Sequence, residues 1–484
     1  MERRVYEEVD LEEAWSQTGK APIGVRWVDV RKSEGIYRSR LVAKDYKPRS
    51  KKGDIEGLYA SMPPLELVKL VIVRALKKGD KVMLIDIKKA HLHAPIDGDV
   101  YVDLPPERAV PGRCAKLLFT LYGMRVAAKN WEKEYSGTLI ANGFAVGKAN
   151  KSSFYHAERD IRAVVHGDDF VVSGKEEQLR WSEEMLKRKY PLKMRRLLGP
   201  DPEDDKEAVI LNRKVYCVDG EIEFEADSEH VPRMLRAAGM EGCNTTVVPG
   251  SREDPVVDEE PLDGDKSRVY RSVVARANYL AQDRPDLRYT VKELCKKMSS
   301  PTSADWARMK KMCRYLAGRP RMRQKNVGID GGVIEVFVDA DWGSCKKSRV
   351  STSGGAIMAF GMCLKVWSTT QGAIARSSGE AEPYAATKGM SEGLGLQSMC
   401  ADMGIHLGVR VRTDSDACRG TCHRTGLGRL KHMEVESLWA QEAVERKRLE
   451  LTRVNREDNP ADCLTKYVTY ADMQRQLAML GFTE

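Results

Sequence analysis

The sequence predicts a multidomain chain that mixes α+β and α/β architecture, and three observations carry that expectation. Its 484 residues are more than one core organises, because domains run roughly 100 to 200 residues and about three units are therefore expected. Up to about residue 190, strand-like runs such as Val25-Arg26-Trp27-Val28-Asp29-Val30 alternate with helical ones such as residues 65–76. From Val333 onward the order changes to strand, strand, strand, helix, strand.

In the first region, residues 82–87 and 161–172 read as strands because β-branched and apolar residues run there almost without polar interruption. Residues 179–190 read as a helix. Around it, Lys187-Arg188-Lys189 with Lys193, Arg195 and Arg196 make a basic cluster, which fits either a solvated face or a surface that tracks phosphates. Gly199-Pro200-Asp201-Pro202-Glu203-Asp204-Asp205 is a turn-rich acidic loop, and residues 249–265 form a second acidic segment that reads as a linker or disordered insert. Amphipathic helices follow at 269–281 and 304–316. Beyond them come strands at 333–338, 355–360 and 363–367, a helix at 381–403 and a strand at 409–413. The expected segments are 1–190, 191–330 and 331–484.

Lys and Arg total 80 against 71 Asp and Glu, a net charge of +9, which fits a polyanionic partner without proving one. Eleven cysteines are scattered without a framework, and the Glu-rich start has no apolar signal region, so free thiols in a reducing intracellular compartment, cytoplasm or nucleus, are expected. Nothing approaches the roughly 18 apolar residues of a membrane span, so no membrane partner is expected. Cys418-x-x-x-Cys422-His423 lacks a second pair to close a zinc tetrahedron.

The chemistry concentrates at Ala163-Val164-Val165-His166-Gly167-Asp168-Asp169-Phe170-Val171-Val172. Apolar strands flank a Gly-Asp-Asp turn, so the hairpin tip carries adjacent carboxylates that repel each other unless a cation lies between them. A plain turn is the competing reading, since Gly and Asp suit turns on backbone grounds alone. Upstream, Leu84-Ile85-Asp86-Ile87 is an apolar strand ending in one Asp. Brought beside the hairpin, Asp86 would complete three oxygen ligands for two Mg²⁺ ions, which sit roughly 3.5 to 4 Å apart in two-metal phosphoryl transfer.

Further motifs run in order: Arg40-Leu41-Val42-Ala43-Lys44, Leu84-Ile85-Asp86-Ile87-Lys88-Lys89-Ala90, Val100-Tyr101-Val102-Asp103-Leu104-Pro105, Leu121-Tyr122-Gly123-Met124, Gly167-Asp168-Asp169, and Asp283-Arg284-Pro285-Asp286. They continue with Asp339-Ala340-Asp341-Trp342, Ser351-Thr352-Ser353-Gly354, Ser377-Ser378-Gly379-Glu380-Ala381-Glu382, and Ala461-Asp462-Cys463-Leu464-Thr465-Lys466. Through these the chain resembles the reverse transcriptase and ribonuclease H portion of copia-type retrotransposon Pol polyproteins. The resemblance implies a right-hand polymerase, with fingers and palm in 1–190 and a thumb or connection in 191–330, followed by a ribonuclease H-like domain in 331–484. It also implies Mg²⁺ or Mn²⁺, two per active site, acting on an RNA template, a DNA primer, dNTPs and an RNA/DNA hybrid.

Carried over by motif, Asp86, Asp168 and Asp169, helped by the Ile87 carbonyl, would hold the polymerase metals. Arg40 would grip the triphosphate, where its planar fork suits paired phosphate oxygens. Tyr122-Gly123 would form the loop under the nucleotide, the glycine permitting close backbone approach, and a simple β-turn is the alternative. Asp339, Glu382, Asp414 and Asp462 would hold the nuclease metals, with Asp341, Glu380 and Asp416 as alternatives for the first three. Several residues depart from the family pattern: His91 replaces an aromatic sugar gate, His166-Gly167 stands where an aromatic and an apolar residue precede the aspartates, and Asp45, Ala128 and Pro383 are unusual. Lys431-His432 resembles a family pair of unassigned role. Neither an aspartic protease, a zinc-knuckle coat segment nor an integrase is recognisable. The two expected functions are a two-activity enzyme and, alternatively, a non-catalytic nucleic-acid-binding remnant of such an element.

Overall fold

The computed structural model describes residues 4–33, 35–46, 59–218, 220–252, 259–328, 332–345, 348–426 and 435–483. Lys431-His432 and residues 253–258 of the acidic segment lie outside them. The chain forms two compact units, Met1–Pro64 with Val82–Leu197, and Leu65–Lys81 with Leu198–Glu484.

The first unit is built on a six-stranded sheet in the order Leu192–Leu198, Lys81–Ile87, Asp169–Gly174, Ile161–His166, Ser153–His156, Ala145–Val146. Lys81–Ile87 is central and buried almost throughout, which is why it reads as an unbroken apolar run rather than an alternating one. Met83, Ile85 and Ile87 share a core with Val165, Phe170 and Val172 of the hairpin and with Trp131, Tyr135 and Leu139. Those last three recur every four residues along the helix Ala127–Ala141, so one helical face covers the sheet. A second sheet pairs Tyr6–Asp10 and Tyr101–Val102 with Arg113–Leu117, and Val25–Ser33 forms a two-stranded ribbon with Ile36–Ala43.

Leu65–Lys77, expected with the first region, belongs to the second unit. It is buried from Glu66 to Leu76, and its charges are neutralised inside that unit: Glu66 meets Lys365 at 2.8 Å and Lys69 meets Asp283 at 2.9 Å. A helix apolar on nearly every side can only be enclosed. The sequence pattern shows the helix but not which core encloses it.

Within the second unit, the helices Gly264–Leu280, Pro285–Cys295 and Ser303–Gly318 pack in one core with Ala356, Met358, Val366 and Leu464, so no break in packing marks residue 330. The amphipathic helices expected at 191–330 are accompanied by a sheet that the sequence reading missed, ordered Glu207–Ile210, Arg213–Val218, Glu221–Ala226, Arg323–Lys325, Phe482–Thr483. Its buried acids hide the strand signal, because Glu223 and Glu225 sit among apolar neighbours while Arg323 and Arg321 bond them at 2.9 and 2.8 Å. The Asp283-Arg284-Pro285-Asp286 motif is likewise architectural, with buried Arg284 and Tyr315 each reaching Asp286, at 2.7 and 2.8 Å.

The remaining sheet runs Met362–Thr370, Thr352–Ala359, Val333–Asp341, Gly408–Thr413, Glu450–Arg453. Its first three strands are antiparallel and its last two join in parallel. The long helix Ser378–Asp402 lies against it through Gly389, where a Cβ would come within 2.3 Å of Val338 Cγ1. The architecture is therefore mixed α+β and α/β, with a ribonuclease H-like sheet in the second unit.

Candidate functional site

In the first unit, strand order sets Asp86 beside the Gly-Asp-Asp hairpin. Lys81–Ile87 is the immediate neighbour of Asp169–Gly174, and the Ile87 amide donates to the Asp168 carbonyl at 3.1 Å. Asp169 pairs with His166, leaving Gly167-Asp168 as a two-residue turn. Gly167 has φ +66°, as the first central position of a type II′ hairpin turn requires. Trp131 Nε1 fixes that turn by donating to the Gly167 carbonyl at 2.7 Å. Although Asp169 reaches the surface, crowding desolvates its carboxyl and the charges of Asp168 and Asp86 add to the effect, so its pKa is raised.

Asp86 is not bare. Lys193, from the adjoining strand Leu192–Leu198, bonds its carboxylate, a partner that sequence reasoning placed only in a basic surface cluster. Most of that cluster is spent internally: Arg195 meets Glu183 at 3.0 Å, Lys187 meets Glu183 at 2.8 Å, and Lys189 meets Glu134 at 2.7 Å. These exposed side chains answer neighbouring acids.

Arg40, His91 and Tyr122 gather at the same place. The Arg40 guanidinium lies 4.8 Å from the centre of the Tyr122 ring, and His91 meets that ring edge-on at 5.0 Å. Burial lowers the His91 pKa, against a backbone hydrogen bond at Ala127 and the charge of Asp168, so imidazole is its form near neutral pH. Burial raises the Tyr122 phenol. Gly123 also meets the protein's own backbone. Its φ is +85°, and a Cβ there would stand 2.3 Å from the Ala43 carbonyl oxygen, so the close approach is to the protein's own strand, from which the Ala43 amide donates a hydrogen bond to the Tyr122 carbonyl at 2.7 Å. Asp45, unusual by motif, accepts from the Arg125 amide at 3.0 Å and from its Nε at 3.1 Å.

In the second unit, Asp339 lies near the end of the strand Val333–Asp341, Glu382 lies in the second turn of Ser378–Asp402, and Asp414 follows Gly408–Thr413. One carboxylate oxygen from each lies within 4.8 Å of the others. Asp341 stays outside that group. Glu380 instead accepts from the Arg376 amide at 2.9 Å at the helix start, and Asp416 pairs with Arg419 at 3.1 Å. Pro383 follows Glu382 inside the helix, where it forfeits one backbone hydrogen bond near the N-terminus.

Asp462 is absent from the close group. It opens the short turn Asp462–Leu464 and is bonded by Lys466, while Thr465 Oγ1 donates to Asp339 Oδ2. Asn459 anchors the preceding loop by donating to the Val338 carbonyl at 3.0 Å. Burial raises Asp339 to about 6, opposed by Lys466. Burial together with Asp339 and Asp414 raises Glu382 to about 9, and burial raises Asp414. The Glu382 Oε2 atom is enclosed without a hydrogen-bond partner. Three mutually repelling carboxyls with an orphaned oxygen fit a divalent cation, which would satisfy that atom and stabilise the ionised forms.

Cys418 and Cys422 stack one turn apart on Asp416–His423, both buried, and all eleven cysteines are free thiols. Among the described residues no helix is long and apolar enough to cross a membrane.

A family model described as reverse transcriptase (RNA-dependent DNA polymerase) matches residues 5–250. The chain is 26% identical over 486 residues to the retrovirus-related Pol polyprotein from transposon RE1 of Arabidopsis thaliana, covering 95% of this chain and 32% of that protein. It is 24% identical over 480 residues to the corresponding polyprotein from transposon TNT 1-94 of Nicotiana tabacum, covering 93% and 35%. The chain thus spans about a third of the length of these curated relatives. A solved structure of the foamy viral protease-reverse transcriptase dRH in complex with double-stranded DNA aligns with a TM-score of 0.49 and 10% identity, over 92% of this chain and 66% of that one. The chain belongs to the reverse transcriptase (RNA-dependent DNA polymerase) family, in the copia-type retrotransposon Pol group.

Proposed function

We propose that this protein extends a DNA primer on an RNA template with dNTPs and cleaves the RNA of the resulting RNA/DNA hybrid, using Mg²⁺ or Mn²⁺, two per site. The observation that carries the reading is the bond from the Ile87 amide to the Asp168 carbonyl at 3.1 Å, which joins the strand end bearing Asp86 to the Asp168-Asp169 tip in a chain of this family. Asp86, Asp168 and Asp169, with the Ile87 carbonyl, would hold the polymerase cations; Asp339, Glu382, Asp414 and Asp462 would hold the nuclease cations. Such ions lower the pKa of an attacking hydroxyl or water and neutralise charge on the phosphate. The protein's own part is positioning. Arg40 offers a planar fork to the triphosphate, its guanidinium held over Tyr122, and His91 fills the space beside that ring.

On this reading Met1–Pro64 with Val82–Leu197 supplies fingers and palm, and the second unit supplies the connection and the nuclease. The reading places the chain in a reducing intracellular compartment. The test is primer extension on a poly(rA) template and cleavage of an RNA/DNA hybrid, each with Mg²⁺ and with Mn²⁺. Both products are expected. The rival reading, a nucleic-acid-binding remnant, draws on the Lys193 ammonium seated on Asp86; it would be favoured by tight hybrid binding with neither product.

A further inference from the structure

Lys466 lies four residues after Asp462, and the short turn Asp462–Leu464 folds its ammonium back onto the Asp462 carboxylate. Asp462 is thereby held by an internal partner while Asp339, Glu382 and Asp414 form the close group without it. The ammonium's charge also reaches Asp339, Glu382 and Asp414, opposing the rise that burial imposes on each. Both side chains are mostly enclosed, at 18% exposure for Lys466 and 15% for Asp462, so solvent screens the pair only weakly. A cation tethered this way occupies the fourth carboxylate and cancels part of the charge that would draw a divalent ion.

We propose that Lys466 is a built-in competitor for divalent cations at the nuclease site, a positioning residue that must release Asp462 before that carboxylate can join Asp339, Glu382 and Asp414 around metal. The inference rests on the nuclease reading of this cluster and adds to it a determinant of metal affinity. Lys466 stabilises the unloaded cluster and sets the concentration of Mg²⁺ at which loading occurs. The cost to a divalent ion is repulsion from a nearby ammonium plus the lost attraction of an engaged carboxylate, and in a partly buried setting that exceeds a factor of about ten in affinity.

The experiment is calorimetric Mg²⁺ titration of the full chain carrying Asp168→Asn, which silences the other site, with Lys466 intact, Lys466→Met or Lys466→Arg. Melting curves in EDTA accompany each titration. Lys466→Met is expected to lower the half-saturating Mg²⁺ at least about tenfold while lowering the melting temperature in EDTA, and Lys466→Arg, which keeps the charge, to stay near the parent on both. Binding by Lys466→Met alone would support the proposal in its strongest form. Unchanged or weaker Mg²⁺ binding by a folded Lys466→Met protein would overturn it, including the case where only hybrid affinity falls and Lys466 is a phosphate contact. Absence of Mg²⁺ binding in all three proteins would overturn both this proposal and the nuclease reading, whereas normal binding that ignores residue 466 would overturn this proposal alone.

Discussion

The two carboxylate clusters share a composition and differ in depth. Asp86, Asp168 and Asp169 gather at a hairpin tip where Asp169 is exposed and Asp168 partly so; Asp339 is 4% exposed near the end of a central strand. At the tip, crowding and neighbouring charge raise Asp169. In the buried cluster Asp339 reaches about 6 and Glu382 about 9. Both clusters seat a lysine on an aspartate, Lys193 on Asp86 and Lys466 on Asp462. Depth therefore decides how far like charge can be relieved by water, and how much must come from a bound cation.

The comparison breaks most sharply if the clusters are not separable. Asp168→Asn is expected to cost primer extension about 10³-fold or more, the scale of losing a metal ligand worth several kcal/mol, and to spare hybrid cleavage. Asp414→Asn should do the reverse. Loss of both activities from either change, measured on protein of unaltered melting temperature, would mean one shared site.

Backbone constraint differs between the regions in the same way. Gly123→Ala combines a left-handed φ of +85° with a contact 2.3 Å from a backbone oxygen, so urea unfolding should register a loss of about 2 to 4 kcal/mol. Gly389→Ala meets side chains rather than backbone, Val338 Cγ1 at 2.3 Å and Val336 Cγ1 at 3.3 Å, and about 1 to 3 kcal/mol is expected. Equal losses would show that the Val42-Ala43 strand yields more easily than its hydrogen bonding suggests.

His91→Phe sharpens the reading of the nucleotide pocket. A ring larger than imidazole beside Tyr122 should crowd a ribose 2′-hydroxyl, shifting the ratio of dNTP to rNTP incorporation by about 1 to 3 kcal/mol toward dNTPs. An unchanged ratio would remove His91 from the sugar pocket.

Much of this was legible in the chain. The Gly167-Asp168-Asp169 turn between β-branched runs announced its hairpin, and strands at Val333–Asp341, Thr352–Ala359 and Met362–Thr370 followed from local apolar runs. What escaped were features fixed by distant partners. The buried strand Glu221–Ala226 looks polar until Arg321 and Arg323 are placed against it. Lys193 meets Asp86 only across paired strands, and the need for Gly123 appears only when Ala43 passes over it. The grouping of Asp339, Glu382 and Asp414 likewise required three separate elements to converge.

The smallest expected effect is on pH dependence. In EDTA the folded chain holds protons on Glu382 up to about pH 9, whereas the unfolded side chain releases them near its ordinary 4.5. Between those values the folded state binds more protons, so stability must fall as pH rises. Melting temperature in EDTA should drop from pH 6 to 9, each kcal/mol lost being worth roughly 2 to 4 °C. Glu382→Gln should flatten that slope, and Mg²⁺ should reverse it; a slope untouched by the substitution would assign the dependence to other groups.

The central claim, that two chemically similar carboxylate clusters are independent cation sites, is tested most directly by Mn²⁺ titration followed by electron paramagnetic resonance, on protein bound to a non-extendable primer–template. Two classes of bound Mn²⁺ are predicted, one removed by Asp168→Asn and the other by Asp414→Asn. A single class lost in both variants, or Mn²⁺ binding that neither substitution changes, would contradict the account.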